Sequence, residues 1–231
     1  MKDYRDKELK NLMYLLFFLF LIWCTPVLSD LPTLADQNKY TALSSILESA
    51  IISAVLSCAT VICDCIVSSG LKDKLVGLFF IPRAGETVFS RIASNGLSDS
   101  RFRTSDAASL YTSIIESCPS AAVERREFEN TNWYRIYLKY QEKGQVRQSQ
   151  RDYLMCRDLY TQTLSFGVVY ILSIHVFPAV VVCSPKFIML LCALAIAFNI
   201  CTHLKMNRFV NTVIAVDVSE HLRKRETAET Q

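Results

Sequence analysis

Apolar positions gather in four blocks along this chain, residues 12–27, 43–69, 164–183 and 187–204, and nearly all charges lie between or outside them. A bilayer core of about 30 Å needs about 20 apolar residues at about 1.5 Å rise each. The blocks are therefore read as membrane-crossing helices with spans at about 11–28, 43–69, 164–183 and 187–204. The second block is the most informative. It is 27 residues long and carries only two charged side chains, Glu48 and Asp64. Its polar residues, Ser45, Ser49, Ser53, Ser57, Thr60, Asp64 and Ser68, recur every three or four positions and form one stripe on a helix. Ile46, Leu47, Ile51, Val55, Ile62 and Ile66 take the opposite side. Such a stripe serves close helix packing. Alternatively it lines a pore, with Asp64 as a charged ring in an oligomer.

Between the second and third blocks the pattern turns soluble and helical. Residues 71–81 begin basic and become apolar, which predicts a segment along the membrane surface with Lys72 and Lys74 toward anionic headgroups. Short helices are expected over 85–93 and from Thr104 or Ser105 to about 117, with Asn95-Gly96 and Ser98-Asp99 marking a turn between them. A longer helix starts near Ser120, with Phe128, Trp133, Ile136, Tyr137 and Tyr140 on one side. Arg125, Glu129, Arg135 and Lys139 take its other positions. After Gly144 one helix is expected to run without a break into the third block. Arg147, Arg151, Asp152, Arg157 and Asp158 mark its solvent or partner face, with Arg147, Arg151, Arg157 and Asp158 as the partner-binding candidates. Ser184-Pro185-Lys186 makes blocks three and four a tight hairpin. The alternating stretch 209–216 fits a short strand or a buried helix, followed by a polar, mobile tail. The fold class is thus all-α: a polytopic membrane protein with four transmembrane helices and a small helical cytoplasmic domain. Its parts are 1–70, an N-terminal segment and hairpin; 71–162, the helical domain; 163–204, the second hairpin; and 205–231, the tail.

Charge supplies orientation. Of the 25 Lys and Arg residues, all but Lys39 and Lys186 fall on one side if there are four spans. The positive-inside rule then places both termini and the central domain in the cytoplasm of a plasma (inner) membrane. The first block also has features of a signal peptide, with Val27 and Ser29 before a cleavage point. Three acids among its four flanking bases favour a retained span ending near Pro26, with Trp23 at the outer interface and residues 29–42 as a short outside loop. The net charge of +3 points to no nucleic-acid partner. Seven of nine cysteines lie in or beside the apolar blocks, and Cys118 and Cys156 fall in the cytoplasmic part, so no disulfide framework is expected.

Candidate chemistry is sparse. The three histidines, His175, His203 and His221, sit in no nucleophile or metal pattern. There is no HExxH, no phosphate-binding GxxxxGK and no CxxC pair. No catalytic residue, metal or cofactor is assigned, and the chain is read as a non-enzyme. The intramembrane polar residues are Glu48, His175, Asn199 and His203. By depth, His203 is the better partner for Asp64, His175 lies near mid-span, and Glu48 approaches Lys186.

The run Glu129-Asn130-Thr131-Asn132-Trp133-Tyr134-Arg135-Ile136-Tyr137, with Arg151-Asp152-Tyr153-Leu154 and Arg157-Asp158 after it, resembles that of small bacterial membrane proteins of uncharacterised function. The four-span layout is similar to membrane subunits of anti-phage defence systems such as Kiwa. The resemblance implies a membrane-anchored, homo-oligomeric sensor or scaffold whose partners are the lipid bilayer and a soluble cytoplasmic protein. The alternative is a homo-oligomeric pore that permeabilises the membrane.

Overall fold

The computed structural model describes residues 2–25, 39–78, 81–97 and 99–229. Among these the chain is helical, with no strand. The helices are α1 (Lys2–Cys24), α2 (Lys39–Ile66), α3 (Ser69–Val76), α4 (Val88–Ala93), α5 (Thr104–Leu110), α6 (Thr112–Glu116), α7 (Ala122–Tyr140), α8 (Gly144–Val176) and α9 (Pro185–Glu229). The expectations placed on Pro26, on Val27 and Ser29, on most of the loop 29–42 and on Ser98 lie outside the described residues.

Among the described residues three helices are long and apolar enough to cross a membrane: Leu43–Ile66, Gly144–Val176 and Pro185–Ala228. Helix α1 is apolar only over residues 12–24, about 20 Å of helix, which is short for a bilayer core of about 30 Å. Helix α8 has no proline and ends just before Pro178, whose ring and missing N–H stop it. Helix α9 begins on Pro185, a favoured first helical position, and meets no further proline or glycine. That freedom from breakers carries the helix through the alternating stretch 209–216, so the strand alternative is replaced by helix. The segment expected to be a mobile tail is helical to Glu229.

The chain divides into two compact units. Unit 1 comprises residues 1–76 and 155–201, and unit 2 comprises 77–154 and 202–231. Within unit 1 the core joins Leu16 and Phe20 of α1, Leu56 of α2, Phe166 and Tyr170 of α8, and Phe187 and Leu191 of α9. Phe20 meets Phe166, Tyr170 and Phe187 edge to face, with ring centroids 5.9 to 6.4 Å apart. The link 177–184 is pinned to this core. Tyr170 accepts from the Ser184 amide at 2.9 Å and donates to the Val182 carbonyl at 3.2 Å, while the Val182 amide donates to the Cys24 carbonyl at 2.8 Å. The α8–α9 connection is therefore longer than Ser184-Pro185-Lys186 implied, because α8 stops at Val176.

Unit 2 is built around α7 and the last part of α9. Phe209 is its hub: Trp133, Tyr137 and Tyr153 lie 5.4, 5.6 and 6.2 Å from its ring. Val210, Val213, Ile214 and Val218 continue the apolar stripe of α9 into the same core. Gly85 lets the 3-10 turn Ala84–Glu86 lie against the Trp133 ring; a Cβ there would sit 3.1 Å from it. The single helix expected from Thr104 to 117 breaks at Tyr111 into α5 and α6. Thr104 does not cap α5, since its hydroxyl donates to the Leu97 carbonyl at 3.0 Å. Truncating the hub removes three ring contacts from a packed core. Phe209→Ala should therefore destabilise unit 2 by about 3–5 kcal/mol, read from denaturant unfolding followed by the fluorescence of neighbouring Trp133.

Candidate functional site

The most concentrated chemistry in unit 1 is a belt of buried charge built from α2, α3 and α8. Asp64 stands in the last turn of α2, which ends at Ile66. Ser68 then opens α3: its hydroxyl accepts from the Leu71 amide at 3.3 Å and its carbonyl from the Lys72 amide at 3.0 Å. The reversal brings Lys72 back onto Asp64, with 2.7 Å between Nζ and Oδ2. Lys72 also lies 3.9 Å from Asp158 of α8. Arg157 spans two carboxylates, Asp73 at 2.9 Å and Asp158 at 3.2 Å. Thr161, one turn on, donates to Asp64 at 3.1 Å. The belt is thus Asp73–Arg157–Asp158–Lys72–Asp64–Thr161, and its ionic side chains are at most 20% exposed.

Taking ions out of water costs several kcal/mol each unless they are paired and hydrogen-bonded. This belt supplies the pairing, and in doing so fixes α3. A helix of eight residues does not hold itself together in water. Here Lys72 and Asp73 anchor one side of it. The Tyr160 hydroxyl donates to the Leu75 carbonyl at 3.5 Å, and Asn199 donates to the Val76 carbonyl at 2.9 Å. Asn199 therefore caps a helix end.

Several expectations are corrected by this arrangement. Lys72 does not face headgroups; it is 8% exposed and closes the belt, whereas Lys74 is exposed. Arg157 and Asp158 are not a partner face; they are 6% and 0% exposed, because α8 turns them onto α3. Asp64 was matched to His203, and the structure supplies Lys72 and Thr161 instead. His203 is half-buried on α9. His175 is not at mid-span; it sits exposed in the last turn of α8. Among the described residues no ion pair joins Glu48 to Lys186; both are exposed. Arg147 is exposed and Arg151 half-buried.

The polar stripe of α2 turns inward. Ser49, Ser53 and Thr60 are 0 to 2% exposed, while Leu47, Ile51, Val55, Ile62 and Ile66 are 55 to 77% exposed. Ser45, Ser57 and Asp64 are half-buried and Ser68 is exposed. Ser53 and Thr60 donate back to the carbonyls of Ser49 and Leu56, at 2.7 and 2.8 Å. That local bond satisfies a hydroxyl without a partner helix. The outward side of α2 is the reverse of a water-facing helix, where apolar residues turn inward.

Unit 2 holds two buried carboxylates that the pattern did not reveal. Glu129 was placed on the charged side of α7, yet it is fully buried. It accepts from the Phe89 and Ser90 amides, at 2.9 and 3.1 Å, and from the Ser90 hydroxyl. The carboxylate thus closes the first turn of α4 from another helix. Asp217 on α9 accepts from the Tyr111 and Tyr140 hydroxyls at 2.6 and 2.7 Å, with Lys139 at 3.5 Å and His221 at 3.4 Å. Burial, and then the Asp217 carboxylate, push both phenols well above their ordinary range. Asp99 and Arg101 form a forked pair at 2.7 and 2.9 Å, and Arg101 reaches Thr212 of α9 at 2.9 Å. The hydrogen bond from Arg101 holds Asp99 below the usual carboxylate range.

All nine cysteines are free thiols, and no group of three or more metal-ligating side chains occurs among the described residues. No family model, curated protein or solved structure matches this chain. Its fold defines the class: among the described residues, an all-helical protein with three helices long and apolar enough to cross a membrane.

Removing Lys72 leaves Asp64 and Asp158 facing each other without their shared cation. Lys72→Met should cost about 3–5 kcal/mol. Lys72→Met with Asp64→Asn should recover part of that loss; a double-mutant cycle on thermal unfolding in detergent measures the coupling, and strict additivity would contradict the belt. The tyrosines predict a pH dependence of opposite sign to acid denaturation. A phenol whose folded pKa is raised stabilises the fold below its ordinary value of about 10, and that contribution is lost as pH rises further. Denaturant unfolding followed from about pH 8 to 11 should show falling stability, with a shallower decline in Tyr111→Phe.

Proposed function

We propose that this chain is an integral membrane, non-enzymatic sensor or scaffold subunit that recruits a soluble partner through unit 2. The observation that carries the reading is the inversion of α2, with hydroxyls buried and large aliphatic side chains exposed. The same outward apolar character recurs on α8 at Val168, Ile171, Leu172 and Val176, and on α9 at Met189, Ile196 and Ile200. Exposed faces this apolar have lipid as their natural solvent. With α1 as a fourth crossing, 23 of the 25 Lys and Arg residues share one side, which favours cytoplasmic termini and a cytoplasmic unit 2 in a bacterial inner membrane.

Unit 2 has its own aromatic core and a mixed-charge surface that suits protein recognition. On α7, Tyr134 and Leu138 are exposed one turn apart, and tyrosine is enriched at interfaces. On α8, Arg147 is exposed in the first turn and Arg151 is half-buried one turn on. The layout's similarity to membrane subunits of anti-phage defence systems offers bacterial defence as the setting. Burial of Ser49, Ser53 and Thr60 inside a single chain favours helix packing over the pore reading, which needs these hydroxyls to face water.

Mild detergent extraction of the tagged chain at native expression, with mass determination and identification of what co-purifies, tests the reading. A soluble protein should be recovered in fixed stoichiometry, and Arg147→Glu with Arg151→Glu should lower its recovery about tenfold or more without changing membrane insertion, as for loss of an interface anchor. Unchanged recovery in the variant would refute the assigned surface.

A further inference from the structure

Unit 1 carries a groove of about 530 Å³ formed by Leu47, Glu48 and Ile51 of α2 with Val176, Phe177 and Pro178 at the end of α8. That volume lies in the range of pockets that take small molecules. Its walls are apolar, and among its described lining residues Glu48 alone is charged. Glu48 has no hydrogen-bond or ion-pair partner among the described residues, although it sits on the face of α2 that exposes Leu43, Leu47, Ile51 and Val55. A lone carboxylate on such a face is costly in contact with lipid and calls for a cation.

The other rim of the groove has the same polarity. Pro178 has no N–H to return to the Ile174 carbonyl. Among the described residues no backbone amide outside the helix donates to the carbonyls of Ile174, His175 or Val176. The C-terminus of a helix carries about half a negative charge. Carboxylate and carbonyls place hydrogen-bond acceptors on both rims of an apolar cleft whose lining also includes Ser44.

We infer that this groove binds a lipid with a primary-ammonium headgroup, phosphatidylethanolamine, with an acyl chain along Leu47, Ile51 and Phe177 and the ammonium between Glu48 and the end of α8. An ammonium offers three N–H donors to these acceptors. A choline headgroup has the charge and no N–H, and a glycerol headgroup has no cation. The inference rests on the membrane reading above.

The full chain, purified in detergent and stripped of lipid, is titrated with dioleoyl phosphatidylethanolamine, phosphatidylcholine or phosphatidylglycerol and followed by native mass spectrometry. Phosphatidylethanolamine should bind one per chain and about tenfold tighter than phosphatidylcholine, the order given by one charge-assisted hydrogen bond. Glu48→Gln should abolish the preference; Glu48 is exposed, so the substitution leaves the packed core untouched. Ile51→Trp, which fills the groove, should weaken binding of all three lipids. Equal binding of the ethanolamine and choline lipids, a preference that survives Glu48→Gln, or a second copy of the chain in place of lipid would each overturn the inference. Alkaline carbonate extraction of cell membranes separates this failure from that of the membrane reading. Protein released to the supernatant overturns both, whereas protein retained in the pellet without lipid preference overturns the groove alone.

Discussion

Charge removed from water must be answered by opposite charge, and the belt of Asp64, Lys72, Asp73, Arg157 and Asp158 meets that demand in unit 1. Three carboxylates share two cations, so each cation is bridging. Lys72 serves Asp64 and Asp158, and Arg157 serves Asp73 and Asp158. Bridging ties three helices where a simple pair ties two. The end of α2, the whole of α3 and the charged turn of α8 are held in one register by it. For helices that turn large aliphatic side chains outward, as α2 does, lipid as the solvent would supply no hydrophobic force between them. Polar contacts and tight packing must specify the arrangement, and the inward hydroxyls of α2 let backbones approach where the belt does not reach.

Unit 2 answers the same demand differently. Its two buried carboxylates have mainly neutral donors. Glu129 takes amides and a hydroxyl at the start of a six-residue helix, and Asp217 takes two phenols. Each carboxylate joins elements far apart in sequence: α7 to α4 through Glu129, and α9 to α5–α7 through Asp217. Helix α4 buries Val88, Phe89 and Ile92, whereas α5 buries Ala107 alone and α6 no residue; the polar ties add to this packing and to the aromatic cluster on Phe209. Both units therefore use buried carboxylates as organisers. In unit 1 the partners are mainly charged, and in unit 2 they are mainly hydroxyls and amides.

The strongest polar groups of both units thus serve structure. Glu48 stands apart from that economy. It is a carboxylate left on an apolar face beside a groove, with the carbonyl end of α8 as the other rim.

The sequence by itself determined the helical class and three of the four apolar helices it suggested as crossings. A run of apolar residues free of proline has one stable way to satisfy its backbone out of water. It also determined the periodic polar stripe on α2, because the 3.6-residue repeat is local. It misplaced groups whose role depends on distant neighbours. Glu129 and Asp158 read as solvent-facing charges because helical periodicity says which side a residue takes and not what packs there. Lys72 read as a headgroup contact because nothing local shows that the turn at Ser68 folds it back onto Asp64. Residues 205–231 read as a tail with a short strand or buried helix over 209–216, and only the structure shows Phe209 and Val213 in the heart of a core, because an apolar stripe becomes a core only when another element covers it. Tertiary structure decided the partners of every buried charge, since pairing is a property of three-dimensional proximity that no local pattern encodes.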